Sequence, residues 1–105
     1  MELHITQQMY LSYFERRESD LTKLRVSLER NRADEFRRIG HQLLGNAATY
    51  GFYDLEKLAR RIYDANQGRL HLEGPDLIRD FDKWIASTRA EFLNRSGVGK
   101  AHTFV

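Results

Sequence analysis

Apolar side chains between residues 10 and 28 fall at Tyr10, Phe14, Leu21, Leu24 and Leu28, a spacing that fits a helix and no strand. No glycine or proline precedes Gly40, so this segment is expected to be one long helix or two stacked end to end. Asn31-Arg32-Ala33-Asp34 forms a short polar turn, with Asn31 suited to the position past a helix end and Asp34 to the start of the next helix. The second helix is expected from about Asp34 to Tyr50, closed by Gly51. Leu55, Leu58, Ala59 and Ile62 then recur at i, i+3, i+4 and i+7, the stripe of a helix buried on one side and ending near Gln67-Gly68. Arg69 to Glu73 reads as a connector. Gly74-Pro75-Asp76 reads as a helix start, because proline suits the first helical position and an acid the first turn.

Leu77, Phe81, Trp84, Ile85, Thr88 and Phe92 mark the fourth helix. From Asn94 onward Ser, Gly and Lys replace the periodicity, which predicts a flexible tail over 96–105 behind a bundle of residues 1–95. There is no internal repeat and no convincing strand. Four amphipathic helices with short connectors predict an all-α protein, an antiparallel four-helix bundle with a long or segmented N-terminal helix.

At about 100° per residue, Phe36, Ile39, Leu43, Ala47 and Tyr50 share an arc of about 80° on the second helix, which must be its buried face. His41 lies about 150° from the middle of that arc and is expected to face solvent. Its neighbours on the outer face are Asp34, Arg37, Arg38, Leu44, Gly45 and Ala48. Gly45 is the oddity among them, since glycine inside a helix costs about 1 kcal/mol relative to alanine. Without a side chain at i+4, and with only Ala48 a turn further on, the surface beside the imidazole is cleared for the close approach of another protein.

The chain has 105 residues, 41% of them apolar and 30% charged, enough for one hydrophobic core and not two. Seventeen Lys and Arg against fifteen Asp and Glu leave a net charge of +2, with the signs interleaved. Nucleic-acid binding is not favoured, because Lys57, Arg60 and Arg61 make a modest patch that a solvated helix face explains equally well. Cysteine is absent, which excludes disulfides. His4, His41, His71 and His102 lack ligand spacing, so a metal site is not expected. No stretch approaches the roughly 18 apolar residues needed to span a bilayer, and the N-terminus has no secretory pattern. A soluble, cytoplasmic protein is expected.

The run His41-Gln42-Leu43-Leu44-Gly45-Asn46-Ala47-Ala48-Thr49-Tyr50-Gly51-Phe52, followed by Leu55, Leu58 and Ile62, resembles the signature of histidine-containing phosphotransfer (HPt) domains. The Ala-Ala-Thr-Tyr-Gly-Phe portion is similar to the phosphotransfer domain of chemotaxis histidine kinases. The resemblance implies a helical bundle in bacterial two-component signalling whose exposed histidine exchanges a phosphoryl group with the aspartate of a response-regulator receiver domain, or takes it from a hybrid histidine kinase. By position, His41 is the phosphorylated residue and Gly45 the clearance for the partner. Arg37, Arg38, Gln42, Leu44, Gly45 and Ala48 form the partner and phosphate surface.

No cofactor is implied for this chain, the magnesium ion being supplied by the receiver. Two positions depart from the family: the usual lysine three residues after the histidine is Leu44, and the glutamate of chemotaxis-type members is Tyr63. Arg37 or Arg38, one turn before His41, is the expected substitute for that lysine. An exposed imidazole is largely neutral at pH 7 and leaves one ring nitrogen free to attack phosphorus.

The expected function is therefore a phosphocarrier rather than an enzyme, a monomeric, free-standing shuttle that meets its partners by diffusion. The alternative is a degenerate bundle of the same shape that docks or inhibits a receiver or kinase without phosphotransfer.

Overall fold

The structure, a computed structural model, describes residues 5–96. Four helices follow one another: α1 (Gln7–Glu29), α2 (Ala33–Thr49), α3 (Tyr53–Tyr63) and α4 (Leu70–Ser96), with a single 3₁₀ turn (Gln67–Arg69) leading into α4. The described residues contain no strand. The expected all-α bundle is the fold found, and the N-terminal helix is one uninterrupted piece.

Helix ends explain the connections. Thr6 caps α1 by accepting the Met9 N–H on its hydroxyl at 3.1 Å. At the other end Asn31 takes the left-handed conformation with φ 54°, and the Arg32 N–H returns to the Ser27 carbonyl at 2.8 Å. The same closure ends α2, where Gly51 has φ 77° and the Phe52 N–H bonds the Ala47 carbonyl at 2.9 Å. Both turns satisfy carbonyls that a helix end leaves unpaired, and both send the chain back along the helix it has just left.

The start of α2 is capped from a distance. Arg32 offers no side-chain cap, and the Ala33 N–H instead donates to Gln67 Oε1 at 3.0 Å. Gln67 Nε2 in turn donates to the Asn31 carbonyl at 2.7 Å, so one amide side chain closes the ends of α1 and α2 together. Asp34 lies in the first turn as expected. Its hydrogen bond from Arg32 holds the carboxyl well below the usual range, at about 2.

Two expectations about the second half are corrected. Helix α3 ends at Tyr63, not near Gln67-Gly68, because Asn66 is extended and its side chain accepts the Gly68 N–H at 2.8 Å, opening the 3₁₀ turn. Residues Arg69 to Glu73 are not a connector, and Gly74-Pro75-Asp76 does not begin α4. The helix starts at Leu70, whose side chain is only 1% exposed and fixes this first turn in the core, and Arg69 pairs with Glu73 at 3.0 Å. Pro75 sits within the helix, just past its first turn, where it forgoes the single bond its missing N–H would make. Gly74 is there for packing: a Cβ on it would stand 2.7 Å from Leu28 Cδ1 of α1. At the other end α4 runs through Asn94 to Ser96, so the first residue of the tail expected over 96–105 belongs to the helix, and the remainder lies outside the described residues.

Each helix turns its apolar stripe inward. Phe14 and Leu24 from α1, Phe36, Ile39 and Leu43 from α2, Leu55 and Ile62 from α3, and Leu70 and Phe81 from α4 are all essentially inaccessible to solvent. Helix α2 packs chiefly on α3, and α1 on α4. Exposed ion pairs such as Arg25–Asp82 and Arg89–Glu18 set α1 and α4 antiparallel, but at about 0–1 kcal/mol each they add little beside the core.

Candidate functional site

Helix α2 carries the site. Its buried residues are Ala33, Phe36, Ile39, Gly40, Leu43 and Ala47, and His41 is exposed on the opposite side, as its position on the helix requires. Gly40 was not marked out by the sequence. A Cβ on it would overlap the backbone of α3, 2.7 Å from the Tyr63 Cα, so only glycine lets the two helices come this close. That approach brings the Tyr63 ring to 5.5 Å from the His41 ring, centroid to centroid, with the planes tilted by 42°. No hydrogen bond is found to the His41 ring among the described residues; the aromatic neighbour is its lateral contact.

Gly45 serves the opposite purpose. It is exposed, and a Cβ there would meet nothing within 4 Å. Ala48 is exposed beyond it, and Leu44 is half-buried with its side chain against the core. Gln42 is exposed too, but about 100° round the helix from His41. It lies on the side of Asn46, the side that packs on α1. The exposed imidazole thus stands on a stretch of nearly bare helix, open to a convex partner surface.

The two arginines expected to replace the family's lysine are engaged elsewhere. Arg37 Nη1 donates to the Ala65 carbonyl at 3.1 Å, tying α2 to the chain just after α3. Arg38 pairs with Glu35 at 3.2 Å.

Behind the site lies a polar group that sequence reasoning missed. Tyr13 on α1 donates its hydroxyl to Asn46 Oδ1 at 2.6 Å, the Arg17 guanidinium sits 4.4 Å from the centre of the Tyr13 ring, and Arg17 pairs with Asp20 at 2.9 Å. Arg17 and Asp20 are both buried. Burial of the phenol pushes Tyr13 up to about 12. The signal was available in the spacing: Tyr13, Arg17, Asp20 and Leu24 fall at i, i+4, i+7 and i+11, one face of α1. A stripe counted from apolar side chains alone passes over them. Aromatic contacts close the same end of the bundle, with Tyr50 4.2 Å and Phe52 5.4 Å from the Tyr13 ring.

Among the described residues no group of three or more histidines or carboxylates is placed to hold a metal ion, and no helix is long and apolar enough to cross a membrane.

The bundle displays His41 on an open, side-chain-poor surface of α2, a face suited to meeting another protein. The family model described as Hpt domain matches residues 8–91, and the chain belongs to that family. It is thereby a histidine phosphotransfer module of two-component signalling, of a kind that carries phosphoryl groups rather than acting as a conventional enzyme and that engages kinases and receiver domains in phosphorelays. No curated protein and no solved structure matches the chain significantly.

Proposed function

We propose that this Hpt domain takes a phosphoryl group onto His41 and passes it on, between receiver aspartates or from a histidine kinase to a receiver. The observation that carries the proposal is the pairing, on one helix, of an exposed imidazole at His41 with open space at Gly45 one turn away. A receiver's phosphorylated aspartate has to come within bonding distance of the ring nitrogen, and a side chain at Gly45 would stand in its path.

In the acceptor direction the lone pair of a ring nitrogen forms the N–P bond. The P–O bond of the aspartyl phosphate breaks, and its electron pair leaves with the carboxylate. Transfer asks mainly for alignment and for charge neutralisation around the equatorial oxygens. The receiver brings the magnesium ion, and this chain brings the nucleophile and a docking surface of Leu44, Gly45 and Ala48, flanked by Gln42, Arg37 and Arg38. Tyr63 limits rotation of the ring by contact, where a glutamate would do so by hydrogen bonding. The domain works as a cytoplasmic monomer.

Leu44 and Tyr63 favour a second reading, a bundle that binds a receiver or kinase by the same face without phosphotransfer. Incubating the protein with a small phosphodonor, and separately with a phosphorylated receiver, distinguishes the two. The carrier acquires an acid-labile, base-stable phosphate, and His41→Gln acquires none while keeping its helicity and melting temperature. A receiver that binds the wild-type protein tightly yet leaves it unlabelled would establish the binding module instead.

A further inference from the structure

A phosphoryl group on His41 would carry about two negative charges, and neutralising them calls for a cation on the same face of the molecule. Around His41 most candidates are occupied. Arg37 is held by the Ala65 carbonyl, Arg38 by Glu35, and Arg61 by Asp80 at 3.1 Å on the flank of α3 that faces α4. Leu44 cannot donate a hydrogen bond.

Arg60 is different. It lies three residues before Tyr63 on α3, which places it about 60° round the helix from Tyr63 with about 5–6 Å between their Cβ atoms. Tyr63 is the residue whose ring touches His41, so Arg60 shares the flank of α3 that borders the site. The direction is set by two other contacts. Gly40 packs on Ile62 and Tyr63, and Arg37 reaches Ala65, so α3 runs antiparallel to α2. One turn back from Tyr63 is therefore one turn forward from His41, level with Leu44 and the open space at Gly45.

Arg60 is exposed, and its guanidinium makes no ion pair or hydrogen bond among the described residues. Glu56, one turn earlier on the same flank, is not paired with it. Lys57 is exposed too but lies about 120° round α3 from Tyr63, away from the site.

We propose that Arg60 is the phosphate-binding residue of this domain, its guanidinium reaching across from α3 to the phosphoryl oxygens on His41. The planar fork of an arginine suits such oxygens, offering two parallel charge-assisted hydrogen bonds where a lysine offers a single point charge. The inference rests on His41 being the phosphorylated residue, as proposed above.

The test labels wild-type, Arg60→Gln, Arg60→Lys and Lys57→Gln proteins with phosphoramidate. It follows the phosphohistidine by phosphorus NMR across pH, together with its lifetime at pH 7. In Arg60→Gln the second ionisation of the phosphoryl group is expected to move to higher pH, and the lifetime to fall by a factor on the order of five, the loss of one charge-assisted contact. Arg60→Lys restores part of both changes, Lys57→Gln, on the far side of α3, changes neither, and all variants keep the wild-type melting temperature. A labelled Arg60→Gln protein whose phosphorus titration and lifetime match wild type overturns the inference alone. A wild-type protein that takes no label, from phosphoramidate or from a receiver, overturns the carrier function and the inference with it.

Discussion

Gly40 and Gly45 lie five residues apart on the same helix and differ in every respect that matters to His41. The first is buried against the backbone of α3, the second is open to solvent. Alanine at Gly45 should therefore raise the stability of the domain by about 1 kcal/mol, the ordinary gain from removing a helical glycine that nothing contacts. Alanine at Gly40 should cost about 1–3 kcal/mol, since its Cβ forces apart two packed backbones. Thermal melts followed by circular dichroism separate the two, and equal effects of the same sign would contradict the packing described at Gly40. Phenylalanine at Gly45 extends the test to function: it should block transfer from a receiver and leave labelling by phosphoramidate intact.

At the scale of elements, the tie made by Gln67 governs where α2 begins. Gln67→Ala removes the acceptor for the Ala33 N–H and the donor to the Asn31 carbonyl, and should cost about 1–2 kcal/mol. Amide exchange at Ala33 and its neighbours should accelerate in the variant while exchange in α4 follows only the global loss. If exchange at the start of α2 is unaffected, the remote cap contributes nothing.

The elements themselves were largely legible in the sequence, and the exceptions have physical causes. The stripe of α2 placed His41 on the correct side because a helix that buries Phe36, Ile39 and Leu43 has no freedom to do otherwise. Gly74-Pro75-Asp76 misled because the same residues that open a helix can also pack tightly near its start, and the decisive factor, Leu70 in the core, depends on tertiary contacts. Arg17 and Asp20 went unremarked because a charged pair is buried only when its partners come with it, which a pattern of apolar residues does not reveal. Arg60 was read only as part of a modest basic patch, because its relation to His41 depends on how α3 is set against α2, which no pattern within one helix contains.

For the molecule as a whole, the buried group behind α2 joins two helices through polar contacts in a largely apolar core. Tyr13 is pushed up to about 12 from a usual value near 10. A group whose folded-state pKa is raised contributes stability that is complete below its unfolded pKa and is lost as pH rises through the folded one. The domain should accordingly lose stability between about pH 10 and about pH 12, as Tyr13 ionises more readily in the unfolded chain. Denaturant melts across that range should show the decline in the wild-type protein and a shallower one in Tyr13→Phe. Parallel declines would place the alkaline sensitivity elsewhere.

The bare strip of α2 beside His41 has one more consequence. It is a single landing place, on one side of one helix, with one imidazole at its centre. If donor and acceptor both have to reach that nitrogen, their footprints coincide, and no complex can hold the two at once. The domain then works by turnover of partners: each must leave before the next arrives, so tight binding by either one slows the circuit that both depend on. An evenly modest grip serves such a carrier better than a strong one, and a helix face stripped to glycine and alanine is suited to supply it.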